Sequence, residues 1–585
     1  MKTESGAAVE NKTKQSFLHG AVILTAATVI VKVVGALFKI PLGNIIGNVG
    51  MGYFNTAYAL FNVVYSLAIA GLPIAVAKLV SEYEALGRHR DTRRVLRISR
   101  GLFLLTGVIG SVVMLAGARV YANAVNNPNA VFAVIALAPT IFFACVMSIY
   151  RGYYEGLKNM YPTAVSQIVE ATVKTVAGLG LTVLILNLAR QSYAQTQKVF
   201  WVAVGSAEDA EMIALAFAAA GAMLGVSIST IGGAVYLMFR HRKRGDALTA
   251  QELMTAPPSQ STRSILSALV RIAVPVCLGS IATSLTSLID SFSVMNRLET
   301  AIGSDYAAIA AQYGAVLPSA KSDIPNFLFG AYGLAQTLFN LVPAITTTFG
   351  ISALPAISSA WALRDREEMG KNVSAALKLT CLVAIPAGIG MSVLAEPIIR
   401  LIYFNKVDEA LIAVPILRVL GIAVIFVSFM SPINSMLQGI GKADVPVKLM
   451  LVGGGLKLIV NFVCVAVPQF NIKAAAWGTL ACYVFIAVSS MAVLLKKTKI
   501  KLPVREVFFK PLLAGLICGA TAFLGDRLLS AFLPSKLATV GAIGLAAVFY
   551  LISLLLLRTL SKNDILMLPK GEKIVKRLEK RNLLS

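Results

Sequence analysis

The chain has 585 residues, of which 57% are hydrophobic and 14% charged, with a mean hydropathy of +0.76 and a formal net charge of +25. Such apolar content excludes an ordinary soluble domain and points to a polytopic membrane protein. The basic excess would suggest nucleic acid in a soluble chain; here it is first a matter of Lys and Arg gathering in cytoplasmic loops, and no nucleic-acid partner is expected. Six cysteines scattered singly through apolar runs and three histidines at helix ends or in basic loops offer no disulfide framework, and neither a metal nor any other cofactor is expected.

Residues 1–16 are polar and read as a cytoplasmic tail, and the apolar run after them carries no small-residue cleavage pattern, so it is an uncleaved first span. Runs of about 20 apolar residues predict an all-α fold of about fourteen spans, at 17–41, 53–80, 101–122, 129–150, 162–188, 210–239, 264–294, 334–360, 374–395, 410–434, 447–467, 473–495, 510–531 and 537–557. With residues at span ends counted to the loop they adjoin, 36 of the 53 Lys and Arg fall on the side of the two termini, 10 on the other side and 7 within spans. Both termini are therefore expected in the cytoplasm of a cell-membrane protein. The basic tail 559–585 reads either as an amphipathic helix beside anionic lipid head groups or as a frayed soluble end.

An internal repeat organises the spans. Leu72-Pro73 near the end of span 2 matches Leu354-Pro355 near the end of span 8 at an offset of 282, and Gly156 after span 4 matches Gly439 after span 10 at 283. A third echo, Ala218-Ala219-Ala220 against Ala474-Ala475-Ala476, follows in the same order. Six spans repeating as six in the same orientation imply two lobes as a parallel repeat around a cavity. The expected organisation is an N-lobe at 17–239, a basic linker at 240–263, a C-lobe at 264–495, and a second linker with spans 13 and 14 at 496–558.

Seven basic residues sit inside spans: Lys32, Lys39, Lys78, Lys174, Arg271, Arg418 and Lys457. A charge at mid-depth costs roughly 2.5 to 3.5 kcal/mol and so faces a partner or a watery cavity. Lys32 and Lys39, two helical turns apart, share one face. At 1.5 Å per residue Lys32 lies ~22 Å into its helix, and Lys174 and Lys457 ~17 Å, too deep to reach the interface. Lys39, Lys78, Arg271 and Arg418 are nearer span ends, where snorkelling to head groups is the alternative. Glu170, four residues before Lys174, is placed for a local ion pair, with a coupling-ion or proton relay as the other reading. Lys457 has Asn461 one turn on. Span 7 carries Ser280, Ser284, Ser287 and Ser291 as a stripe suited to close packing, with Asp290 as an acid seeking Arg297 or a lysine.

Several stretches together resemble one family: KVVGALFKIPLGNIIGNVGMGYFN at 32–55, GLPIAVAKLVSEYEALGR at 71–88, RGYYEGLKNMYPTAVSQIVE at 151–170, SLIDSFSVMNRL at 287–298 and LSKNDILMLPKGEKI at 560–574. The chain resembles the polysaccharide biosynthesis branch of the multidrug, oligosaccharidyl-lipid and polysaccharide exporter superfamily, within it stage V sporulation protein B and the MurJ-type lipid II flippases. That resemblance implies alternating access, a cationic cavity for the diphosphate of a polyprenyl-linked saccharide, and a groove at spans 13 and 14 for the lipid tail. By position it assigns Lys32 and Lys39 to the substrate, with Lys78 and Arg271 as further cavity candidates, and it implies cell-wall synthesis proteins as partners; depth puts Lys32 first, and the span-7 acid Asp290 is counted with them as a substrate-binding candidate. The segment 299–333 is longer than the family pattern and reads as a short outer helix or a lid. The alternatives are a cation-coupled multidrug exporter of the same fold, a membrane glycosyltransferase, and a non-transporting scaffold.

Overall fold

The computed structural model describes residues 17–246 and 248–559, so the expected tails at 1–16 and 559–585 lie outside the described residues apart from residue 559. Helices make up nearly all of it, because in hydrocarbon a spanning segment must satisfy its backbone within itself. The chain divides into two compact units, residues 1–295 and 296–585.

The first unit holds α1 (Phe17–Ile69), α2 (Leu72–Ala85), α3 (His89–Ala124), α4 (Val131–Gly156), α5 (Tyr161–Thr196), α6 (Ala207–Arg244), the short α7 (Ala250–Thr255) and α8 (Thr262–Ile289). α1 is two helices joined at Gly47, whose φ of 59° and ψ of −165° suit glycine and few other residues. Phe38 and Phe54 would lie ~24 Å apart on a straight helix, yet their ring centroids are 6.1 Å apart. The chain therefore turns back at Gly47, and the arms 17–46 and 48–69 form an antiparallel hairpin that contains span 1 and most of span 2, which finishes in α2. α5 and α6 pack through bare backbone: a Cβ on Gly225 would strike the main chain of Gly178, a close approach of the kind small residues permit in membranes.

The basic linker is tied down along its length. α6 continues to Arg244, so the first five residues of the expected linker are helical. Arg90 donates from Nε to the Leu253 carbonyl at 2.8 Å, and Arg93 grips both Asp246 oxygens at 2.8 and 2.9 Å. Arg94 reaches the Thr262 hydroxyl at 2.9 Å, and the Gln260 N–H meets Asp91 at 2.8 Å. α8 then packs on α1, α2 and α3; the Gly71 N–H points to the Cys277 sulfur at 3.3 Å. Compactness thus groups the seventh span with the first six, whereas repeat counting places it with the second six.

The second unit runs through α9 (Met295–Ser304), α10 (Tyr306–Tyr313), α11 (Ile324–Phe339), α12 (Leu341–Ala362), α13 (Arg366–Val393), α14 (Ala395–Ile402), α15 (Val407–Leu411), α16 (Ala413–Gly439), α17 (Asp444–Cys464), α18 (Lys473–Thr498), α19 (Lys510–Ser530) and α20 (Ser535–Leu556). The long segment 299–333 is helical in part, and the end of α10 is pinned to the loop before α18: Gln312 donates to the Pro468 carbonyl at 3.0 Å and accepts from Lys473 at 2.8 Å.

Neighbour relations recur between the units. α3 on α4, α4 on α6 and α5 on α6 in the first are matched by α13 on α16, α16 on α18 and α17 on α18 in the second. α4 ends at Lys158 with φ 60° and α16 at Gly441 with φ 76°, 283 positions apart, with the same three terminal hydrogen bonds. By length and hydropathy twelve helical stretches among the described residues suit a membrane crossing. Ile30–Ala85 covers the second expected span and the later part of the first, and α8 occupies the seventh.

Two outcomes follow. Gly225→Ala lowers the thermal midpoint of the purified protein by the equivalent of about 1 to 3 kcal/mol, whereas Gly180→Ala, which meets open space, leaves it unchanged or raises it; equal shifts would refute the backbone contact. Burial would raise the Asp246 pKa, but hydrogen bonds from Arg93 and Tyr153 hold the carboxyl below its usual range. A carboxyl depressed on folding stabilises above its unfolded value, near 4, and loses that contribution as pH falls through the folded value. Asp246→Asn should therefore lower the midpoint near neutral pH, with the gap to wild type closing in acid; a gap independent of pH would contradict the pairing.

Candidate functional site

The turn at Gly47 lays the lysine-bearing arm of α1 against the chain that follows it, and α5 packs onto α1. Lys39 Nζ sits 5.6 Å from the ring centroids of both Phe54 and Tyr58. Lys174 Nζ, on α5, sits 5.6 Å from Phe38. Lys32 and Lys174 are both close enough for their charges to act on Lys39. Three ammonium groups thus share one region, and two of them, Lys39 and Lys174, are steadied by ring faces, each such contact being worth roughly 0.5 to 2 kcal/mol. Lys39 is half-buried and Lys32, ranked first from its depth, stands on the exposed flank.

Behind the lysines an aromatic ladder descends α1. Tyr58 and Phe61 lie 5.6 Å apart, and Phe61 and Tyr65 5.2 Å. At its foot Arg151 of α4 reaches α5, with Nη2 2.9 Å from Glu170 Oε2 and Nε 2.9 Å from the Ser166 hydroxyl. The local Glu170–Lys174 pair expected from spacing gives way to this contact between helices. The reason is donor geometry: a guanidinium fork satisfies Ser166 and Glu170 together, which one ammonium group cannot match. Lys174 still feels the Glu170 charge through space, while its head lies over Phe38.

The other sequence candidates lie elsewhere. Lys78 on α2 and Arg271 on α8 are exposed. Asp290 is buried where α8 passes into a π-turn, beside Ser291, which accepts from the Tyr121 hydroxyl at 2.8 Å. Lys457 and Asn461 are buried one turn apart on α17 in the second unit, and Gly478 on α18 leaves the room that the Asn461 side chain fills. Sequence reasoning passed over Arg151, which it counted as loop charge, and the ladder Phe54, Tyr58, Phe61, Tyr65, whose spacings of four, three and four were legible as one helix face. Among the described residues no three His, Cys, Asp or Glu side chains are placed to hold a metal ion.

The second unit contains an apolar groove of about 440 Å³, lined by residues that include Leu338, Val342, Met391, Ile398, Cys518 and Tyr550. α19 and α20 form one wall, tied to α13 by the Tyr550 hydroxyl, which donates to the Leu382 carbonyl at 2.8 Å.

The family model described as polysaccharide biosynthesis protein matches residues 17–361, and the MatE model matches residues 322–463. Lipid II flippase MurJ of Bacillus subtilis (strain 168) is 25% identical over 508 residues, 83% of this chain and 86% of that protein. Stage V sporulation protein B of the same organism is 23% identical over 557 residues, covering 95% and 98%. Among solved structures, lipid II flippase MurJ in an inward closed conformation superposes with a TM-score of 0.60 at 14% identity, over 91% of this chain and 98% of that one. An inward-facing MATE family transporter of the MOP superfamily gives 0.56 at 13% identity, over 80% and 98%. With the first family model spanning more than half of its residues, this chain belongs to the polysaccharide biosynthesis protein family and is a multi-pass membrane protein with the fold shared by MurJ and the MATE transporters.

Proposed function

We propose that the chain is a flippase that moves a polyprenyl-diphosphate-linked saccharide, the peptidoglycan precursor lipid II or a related unit, across the cell membrane by alternating access. The observation that carries this reading is the gathering of Lys32, Lys39 and Lys174 within apolar helices, with Lys39 and Lys174 beside aromatic faces. A diphosphate brings about two negative charges into a medium where charge-assisted contacts are strong. Ammonium groups held by rings keep their charge available to such a ligand. Lys32, Lys39 and Lys174 take the head group in this reading, Glu170 with Arg151 braces α5, and the α19–α20 groove accepts the prenyl chain. The relatives named above support the substrate class, and the loop charge supports an orientation with both termini in the cytoplasm.

The shared fold leaves a second reading, a cation-coupled multidrug exporter. A cationic solute would be repelled by the lysine group, so we rank this reading below the first.

In proteoliposomes with a labelled polyprenyl-diphosphate saccharide, Lys39→Ala should slow flipping by about tenfold or more, since one charge-assisted contact is worth roughly 1.5 to 3 kcal/mol. Unchanged rates in both Lys39→Ala and Lys174→Ala would sink the assignment. A second outcome separates ligand binding from folding. Lys174→Met should raise the thermal midpoint of the unloaded protein by the equivalent of about 1 kcal/mol, because the cost of holding a charge out of water is removed, and this outweighs the lost attraction to Glu170 and contact with Phe38. The same variant should lose the protection that a soluble prenyl diphosphate gives the wild type. A lower midpoint with full protection would mean that Lys174 serves the fold alone.

A further inference from the structure

A second basic feature lies apart from the lysine group. At the linker end of α3 and α6 a cleft of about 240 Å³ is lined by Arg93, Arg97, Arg100, His241 and Asp246. The three arginines, spaced by four and three, stand on one face of α3. The single carboxylate in the lining is taken up: Asp246 accepts two bonds from Arg93 and a third, at 3.0 Å, from the Tyr153 hydroxyl. Arg97 and Arg100 are exposed and border the cleft with no carboxylate of the lining left to neutralise them. Tyrosines shape the wall. Arg100 lies 5.6 Å from the Tyr150 ring, and the Tyr154 hydroxyl is 3.1 Å from His241 Nδ1.

The charge asymmetry of loops accounts for basic residues at this end, but not for their convergence on one cleft. The same face of α3 then changes character. Leu104 and Val108, four and eight residues beyond Arg100, continue the stripe and are 42% and 49% exposed. One helix face therefore offers guanidinium groups and, directly beyond them, bare hydrocarbon.

We infer that this cleft binds a phosphate group, with Arg97 and Arg100 as its principal ligands, and that the apolar stripe makes a phosphate-bearing membrane lipid its source, with acyl chains along Leu104 and Val108. Guanidinium groups suit this ligand because each presents two parallel donors to a phosphate, which ammonium groups do not. The site is separate from the lysine group of α1 and α5 and does not depend on the proposed substrate.

The test uses the full chain in nanodiscs of phosphatidylcholine carrying a small fraction of phosphatidic acid, with bound lipid counted by native mass spectrometry. The wild type should retain one phosphatidic acid more than Arg97→Gln/Arg100→Gln, with affinity at that site reduced about tenfold or more in the variant. Arg97→Lys/Arg100→Lys should fall between the two, because charge is kept and the fork is lost. The two single Gln variants carry the comparison if the double variant does not fold. Inorganic phosphate at millimolar concentration separates the sources. Failure to displace the lipid supports the lipid, while displacement with thermal protection of wild type alone supports the phosphate site with a soluble ligand. Equal lipid retention by wild type and the Gln variants, together with no selective protection by phosphate, overturns the proposal.

Discussion

The reversal at Gly47 is the constraint on which the rest of the first unit depends. One residue with a positive φ turns a single apolar stretch into two antiparallel arms and sets Phe38 beside Phe54, and Lys39 over Phe54 and Tyr58. α5 then covers the hairpin with Lys174, and α4, which also packs on α1, holds α5 through Arg151. Had the stretch continued straight, the lysines and the ladder would occupy opposite ends of a helix some 80 Å long, and no shared site would exist.

Charge in this unit is handled in two ways. Where a carboxylate is paired, a guanidinium holds it: Arg93 gives both donors to Asp246, which also accepts from the Tyr153 hydroxyl, while Arg151 gives one donor to Glu170 and the other to the Ser166 hydroxyl. Lys39 and Lys174, inside the apolar spans, lie over rings instead. The first arrangement fixes helices to each other and to the linker. The second leaves positive potential in place, since a quadrupole stabilises a cation without cancelling it.

Much of the fold was legible because hydrocarbon imposes a length and a composition on every crossing helix, and the expected spans recur among the long helices with shifted ends. The lysines were legible for the same reason, since a charge in an apolar run stands out. Their surroundings were not. Spacing of four favoured Glu170 with Lys174, but the guanidinium that wins comes from α4, nineteen residues away in sequence, and local periodicity carries no information about such a partner. Arg151 was hidden by being tallied with loop charge. The place of α8 was likewise invisible, because repeat counting reports ancestry, while contacts such as Gly71 with Cys277 depend on the final packing.

The helix ends preserve a ruler that side chains have lost. From Pro73 to the left-handed Gly87 is fourteen residues; from the matching Pro355 to the left-handed Arg364 is nine. The first copy is therefore longer by five residues, about one and a half turns or ~7.5 Å. That added length is not idle. It includes Tyr83, whose hydroxyl meets Gln260 at 2.9 Å, and leads straight to Arg88, which reaches the Pro258 carbonyl at 3.3 Å. The asymmetry between the copies has thus become the berth of the linker that follows the first of them.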